Sequence, residues 1–363
     1  MTRVRPTVVE VDLDAIRHNV RALRPPGAEL MAVVKGDAYG HGAVPVARAV
    51  VEAGASWLGV ALVEEGIALR EGGIRAPILV LSELPRGSEK DALASGLTPT
   101  IYSEEGVALV AEAAWAVGRR VGVHMKIDTG MHRLGLWPPR RSREMASWVT
   151  DVGLELEGAW THLASAESDP ELTRRQLGAL LDAVEAMPAR PPIVHAANSA
   201  ATILFPEAHL DLVRPGGGIF GLAAGPGLER GLRPALSWRS AVSFVKRLGP
   251  GERLSYGQHY RLQRDATIAT VPVGYADGYP RALSSRADVL IGGRRCRVAG
   301  NVTMDHLVVD CGDLEVRAGD EVVLLGAQGE ERVTAEELAE LAGTIPYEIA
   351  TSISVRVPRE PIG

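Results

Sequence analysis

From residue 30 onward the sequence repeats one unit: a short apolar or β-branched run, a polar or glycine-containing loop, then a longer amphipathic stretch. Eight such runs fall at 30–34, 57–61, 78–81, 98–101, 121–127, 154–160, 193–196 and 210–213. Strands that alternate with helices pair in parallel through crossover connections. Eight units in about two hundred residues therefore predict an α/β fold closed as a (β/α)8 barrel, with an open doubly wound sheet as the second reading. Ahead of the first run, Leu13, Ile16, Val20 and Leu23 share one face of a helix that Asp12 can cap. After about residue 232 the texture changes to strands joined by tight turns, as at 289–291 and 294–298 across Gly292-Gly293. A helix interrupts them, opening at Thr334 with Glu337 three residues on, a capping box ahead of Leu338 and Leu341. A chain of 363 residues exceeds what one core usually serves. The expected organisation is thus a barrel over 8–232 and a mainly β C-terminal domain over 233–363, with residues 1–7 a candidate addition to the second.

Bulk properties remove several classes of function. The net charge of −6 supplies no basic face for nucleic acid. The two cysteines, Cys296 and Cys311, form no Cys-x-x-Cys pair and have no histidine at ligand spacing, so they read as reduced core residues and no metal site is expected. The amino terminus mixes Arg3, Arg5, Glu10 and Asp12 with apolar residues and lacks the apolar stretch of a signal peptide or membrane span. Cytoplasm is the expected compartment, with no membrane partner.

In a barrel of this kind the active site lies at the carboxyl ends of the strands. The first run ends in Lys35, followed by the glycine-containing loop Gly36-Asp37-Ala38-Tyr39-Gly40-His41-Gly42. A strand-end lysine by itself more often reaches solvent. Desolvated in a barrel mouth, however, it would lose basicity and could condense with an aldehyde. The last two loops carry Asn198-Ser199 and Arg214-Pro215-Gly216-Gly217-Gly218, a hydroxyl and unhindered backbone N–H groups where this fold often binds phosphate. Lysine and anion cradle together suggest a phosphorylated aldehyde, for which pyridoxal 5'-phosphate is the obvious choice.

The stretch from Ala32 through Lys35 to Gly42 resembles the cofactor-lysine signature of alanine racemases. The resemblance continues through Lys126-Ile127-Asp128-Thr129-Gly130-Met131-His132-Arg133, Thr161-His162-Leu163-Ala164, Asn198-Ser199 and Arg214-Pro215-Gly216. In the second domain it runs through Ser255-Tyr256-Gly257, Gly274-Tyr275-Ala276-Asp277-Gly278-Tyr279-Pro280-Arg281, Thr303-Met304-Asp305, Pro346-Tyr347-Glu348 and Arg356-Val357-Pro358-Arg359. It covers the chain from about residue 7 to the end. Gly36 stands where the family more often has alanine, and Ala350 where many members carry cysteine.

The resemblance implies interconversion of L-alanine and D-alanine by a homodimer with shared active sites, supplying D-alanine for peptidoglycan. Lys35 would carry the cofactor and serve one face of the substrate α-carbon, and Tyr256 of the partner subunit would serve the other. Two groups are needed because inversion requires a proton to leave one side and return on the opposite one. Ionising a tyrosine at pH 7 costs about 4 kcal/mol, and His162 with Arg214 would help it. Arg214 against the pyridine nitrogen would disfavour a pyridinium and restrain side reactions. Arg133 and the backbone N–H of Met304 of the partner subunit would bind the substrate. Tyr39, Ser199, Gly216, Gly217 and Tyr347 would bind the phosphate. Tyr275 and Arg281 would line the entrance, and Lys126 matches a position carbamylated in many members. Related barrel decarboxylases share the lysine but usually set an acid at the pyridine nitrogen, unlike Arg214. A racemase of broader specificity, or a nonenzymatic pyridoxal-phosphate-binding protein, are the alternatives.

Overall fold

The structure, a computed structural model, describes residues 5–223, 225, 227–229 and 231–363. The chain divides into two compact units, Ala15–Arg233 and a second one made of Met1–Asp14 with Pro234–Gly363. Strand β1 (Val8–Asp12) belongs to the second unit. The first contains β2 (Glu29–Val33), β3 (Trp57–Val60), β4 (Ile78–Val80), β5 (Thr100–Ile101), β6 (Gly122–Lys126), β7 (Glu155–Trp160), β8 (Ile193–His195) and β9 (Leu212–Val213).

Each of the eight expected runs is a strand, and all pair in parallel, as two arcs ordered β4-β3-β2-β9 and β5-β6-β7-β8. Both seams between the arcs are bonded. Val80 N donates to Thr98 O and Thr98 N to Ile78 O at one seam; Asp211 N donates to Val194 O and Arg214 N to Ala197 O at the other. The ring is therefore a closed (β/α)8 barrel rather than an open sheet. Parallel strands are covered on both faces, which is why these runs are apolar without alternation. Leu30, Met31, Leu58, Ile78, Leu79, Val123 and Met125 have no solvent exposure. The helix Leu13–Leu23 buries Ile16, Val20 and Leu23 as its spacing predicts. Its buried Asn19 is fully employed: Nδ2 donates to Ile219 O and Arg233 O, and Oδ1 accepts from Arg233 N.

The second unit contains β10 (Leu236–Ala241), β11 (Phe244–Leu248), β12 (Arg253–Leu254), β13 (Tyr260–Arg261), β14 (Ala266–Val271), β15 (Asp288–Ile291), β16 (Arg294–Val298), β17 (Leu307–Asp310), β18 (Glu321–Gln328), β19 (Glu331–Val333) and β20 (Arg359–Ile362). Its main sheet runs β11-β14-β17-β16-β15-β18-β10-β1-β20. Strand β1 joins through the buried Val8, Val9 and Val11, antiparallel to β10 and parallel to β20. The β15–β16 hairpin turns on Gly292 and Gly293 at φ 58° and 72°, the positive values that a two-residue turn requires. Thr334 caps the helix Ala335–Ala342 by accepting from Glu337 N at 3.1 Å. Cys296 and Cys311 are free thiols, both buried. Among the described residues no helix is long and apolar enough to cross a membrane.

Candidate active site

At the carboxyl end of β2 the chain leaves the barrel through an unusual turn. Gly36, Asp37, Ala38 and Tyr39 all take left-handed backbone angles, with φ between 52° and 62°. Three of them are not glycine, and each such residue costs about 1–2 kcal/mol, so the surroundings must hold the turn. Ala38 N donates to Val34 O, Ala43 N to Asp37 Oδ1 at 2.7 Å, and Gly36 N to Glu65 Oε1 at 2.7 Å. The rings of Tyr39 and His41 pack on Phe220 at 5.2 and 4.4 Å. This turn fixes Lys35 half-buried at the barrel mouth. Burial and then the charge of Arg133 lower its pKa, with Glu65 opposing.

The carboxyl ends of β6 and β9 contribute Lys126 and Arg214, both almost wholly buried and, among the described residues, without a salt-bridged carboxylate. Arg214 Nη2 donates to Thr161 O and Ala196 O, and Nη1 to His195 Nδ1 at 3.0 Å. Burial lowers its pKa to about 9, so it remains a cation at neutral pH. The Trp160 ring touches both cations, its centre 4.6 Å from Lys126 Nζ and 4.7 Å from Arg214 Cζ. Burial, then Arg133 and Arg214, bring Lys126 down to about 8. Burial followed by Arg214, Lys126, Arg133 and Lys35 holds His162 well below the ordinary imidazole range. Arg133 itself is exposed, on a loop whose Asp128 Oδ1 accepts from Gly130 N, Met131 N and His132 N.

After β8 and β9 the loops come together. Asn198 caps the short helix Ser199–Leu204 by accepting from Ala201 N. Ser199 Oγ accepts from Gly216 N at 2.9 Å and Gly218 N at 3.2 Å. The Tyr39 hydroxyl reaches the same place, because a Cβ on Gly216 would come within 2.4 Å of Tyr39 Oη. Gly217 is buried at the start of the 3-10 turn Gly217–Phe220.

In the second unit, Tyr256, Tyr275, Arg281 and Met304 line one cavity of about 540 Å³ together with the segment from Asn301 to His306. Tyr256 is 75% exposed, on a turn fixed by Asn301 Nδ2 donating to Tyr256 O and Ser255 Oγ donating to Asn301 O. The Tyr275 and Met304 loops are stitched by Tyr275 N donating to Thr303 O and Ala276 N to Met304 O. Buried Asp277 anchors them, bonded to Arg5 at 2.6 Å, to Gly274 N at 3.0 Å, and 3.5 Å from Arg356. Tyr347 lies apart from this cavity lining, on the helix Pro346–Thr351.

Comparison with known proteins accounts for both units. "Alanine racemase, N-terminal domain" matches residues 11–224 and "Alanine racemase, C-terminal domain" residues 235–361. The chain belongs to the alanine racemase family. An alanine racemase of Symbiobacterium thermophilum is 52% identical, over 98% of this chain and 97% of that protein. The alanine racemase structure from D-cycloserine-producing Streptomyces lavendulae superimposes with a TM-score of 0.94 at 41% identity, covering 100% of this chain and 98% of that one. That from Bacillus anthracis, solved with bound L-Ala-P, gives 0.92 at 38% identity, covering 100% and 96%.

Within this alanine racemase fold, sequence reasoning passed over two polar residues. The side chain that Arg214 bonds is His195, which lies outside the motifs quoted above. His195 lies inside the apolar run 193–196 and ends β8, and a histidine within such a run is the signal that marks it. Glu65 braces the Lys35 turn by accepting from Gly36, Ala61 and Leu62 N–H groups, although its place in the first turn of the helix Val63–Glu71 is that of an ordinary helix-start carboxylate.

Proposed function

We propose that this chain interconverts L-alanine and D-alanine as a homodimer, with pyridoxal 5'-phosphate held on Lys35, and that its D-alanine supplies peptidoglycan from the cytoplasm. The observation that carries the reading is the setting of Lys35: an amine of lowered pKa beside a compact donor set made by Tyr39, Ser199, Gly216 and Gly218. Hydroxyls and backbone N–H groups without a dense cationic cluster suit a phosphate ester, and Gly217 and Tyr347 would add to them. A desolvated amine suits an aldehyde, and buried Arg214, with no acid bonded to it among the described residues, suits a ring nitrogen kept unprotonated. These residues fit the cofactor. When bound, it supplies the electron sink that makes the substrate Cα–H acidic.

Lys35 Nζ then removes or returns the α-proton on one face, and Tyr256 Oη of the partner subunit does so on the other. Its 75% exposure in the free surface of this chain is what a group completing another subunit's site requires. Arg133 and the N–H of Met304 of the partner subunit hold the substrate carboxylate, while Tyr275 and Arg281 narrow the way in. Arg214 and the uncharged His162 favour ionisation of the tyrosine, since a neutral imidazole can pass a proton without adding a charge. Lys126, in a nest of cations, is easily deprotonated and can add carbon dioxide. The neutral amine forms the C–N bond and releases one proton, leaving a carbamate anion beside Arg133.

Incubation of the purified protein with L-alanine tests the reading by chiral separation of the product. D-alanine should appear, together with the absorbance of a cofactor imine, and both should be lost in Lys35→Ala. Tyr256→Phe should keep the absorbance and lose turnover. Equal turnover of serine, lysine or arginine would identify a broader racemase, and absorbance without turnover a nonenzymatic carrier.

A further inference from the structure

Behind Arg214 the barrel interior holds a line of polar side chains that the chemistry above does not use. His195 Nδ1 lies 3.0 Å from Arg214 Nη1, and His195 Nε2 lies 2.9 Å from His124 Nδ1. The remaining nitrogen of His124, Nε2, stands 3.8 Å from Glu157 Oε2, an ion-pair distance too long for a direct hydrogen bond. Both imidazoles have no solvent exposure, while the Glu157 side chain keeps 34%. The line therefore runs from a buried cation through two buried rings to a carboxylate that touches water.

Hydrogen-bond polarity fixes every proton along it. A guanidinium only donates, so His195 Nδ1 must accept and the ring's proton must sit on Nε2. That N–H needs His124 Nδ1 as acceptor, which puts the second ring's proton on Nε2, facing Glu157. One tautomer of each ring satisfies the chain. A second proton on either ring would set N–H against N–H, and burial, with Arg214 nearby, holds both pKa values below the ordinary range. The neighbours agree with a fixed ring pair: Trp160 stacks on His195 at 5.6 Å and 12°, and Trp57 packs on His124 at 5.3 Å. The site of His124 is also built. Its strand neighbour across β6 and β7 is Gly158, and a Cβ there would come within 2.4 Å of His124 Nδ1, so the imidazole occupies side-chain space that glycine leaves vacant.

We propose that His195, His124 and Glu157 are positioning residues, a line of fixed tautomers that holds Arg214 in one orientation at the barrel wall. With Nη1 committed to His195 and Nη2 to two carbonyls, the guanidinium keeps its Nε–H and one Nη1–H for the site. The reading rests on Arg214 facing the cofactor ring, and its test separates the two claims.

Nitrogen-15 NMR of the holoenzyme labelled at histidine reads the tautomers directly, apart from turnover. The expected result is that both rings carry their proton on Nε2 and stay neutral between about pH 6 and 8. In His124→Phe, which keeps a ring but removes the acceptor, His195 should show a mixed tautomer and kcat should fall about tenfold, with KM nearly unchanged. Gly158→Ala, which pushes the ring without touching Arg214, should move both readouts the same way. Glu157→Gln keeps the fold and should broaden the His124 signal most and the His195 signal less, in the order of the line. A wild-type His195 protonated on Nδ1, or folded His124→Phe and Gly158→Ala proteins with unaltered His195 signals, would overturn the proposal. Fixed tautomers in a protein that turns over no alanine would instead count against the proposed function.

Discussion

In the barrel unit Lys126, Arg214 and His195 are almost wholly removed from solvent, whereas in the β unit Tyr256, Met304 and Tyr275 stand 75%, 53% and 44% exposed. The difference is one of who supplies the environment. Barrel residues have theirs already: the chain's own core desolvates them, and the pKa shifts of Lys35, Lys126, Arg214 and the histidines all have burial as their largest cause. The β unit presents a cavity with an open side, whose residues are placed by backbone stitching and a buried carboxylate rather than by desolvation. Such a surface can be precise without being reactive until something covers it.

The sharpest way to break this contrast is at the two proposed proton carriers. Lys35→Ala and Tyr256→Phe should each lower kcat at least about a thousandfold. Only the Tyr256 variant should keep the cofactor absorbance and an unaltered thermal midpoint, because its hydroxyl lies outside any core. Equal effects on cofactor loading would erase the distinction between the units. Next comes Asp277→Ala, which strips the buried anchor from Arg5 and Arg356. It should destabilise the β unit by about 3–5 kcal/mol in urea unfolding, leaving the barrel's own transition in place.

A somewhat smaller effect belongs to Lys126. Its folded pKa of about 8 lies below the ordinary 10.5, so the unfolded chain holds the proton more tightly. Stability should therefore rise as pH climbs from about 8 toward 10.5, and the deficit should be complete below about 8. In buffer free of carbon dioxide, Lys126→Met should flatten that slope and gain roughly 3 kcal/mol at pH 7. Bicarbonate should stabilise the wild type but not the variant. Smallest is Thr334→Ala, where loss of one helix cap should cost about 1 kcal/mol, confined to the β unit.

The fold was largely written in local pattern. Eight apolar runs without alternation marked eight parallel strands, and Gly292-Gly293 and Thr334-Glu337 marked a hairpin and a helix start, because turn angles and capping bonds are satisfied within a few residues. Motif similarity likewise brought Lys35, Arg214, Tyr256 and their companions forward without any coordinates. Three things were decided only when the chain closed on itself. One was the left-handed turn at 36–39, since no residue there asks for positive φ except Gly36, and the strain is held by Glu65 and Phe220 from elsewhere. Another was the partner of Arg214, because strands β6, β8 and β9 lie far apart in sequence and meet only around the barrel. The last was basicity: a lysine in a sequence is an ammonium near 10.5, and only the packing of apolar and cationic neighbours around Lys35 and Lys126 made these two weaker bases.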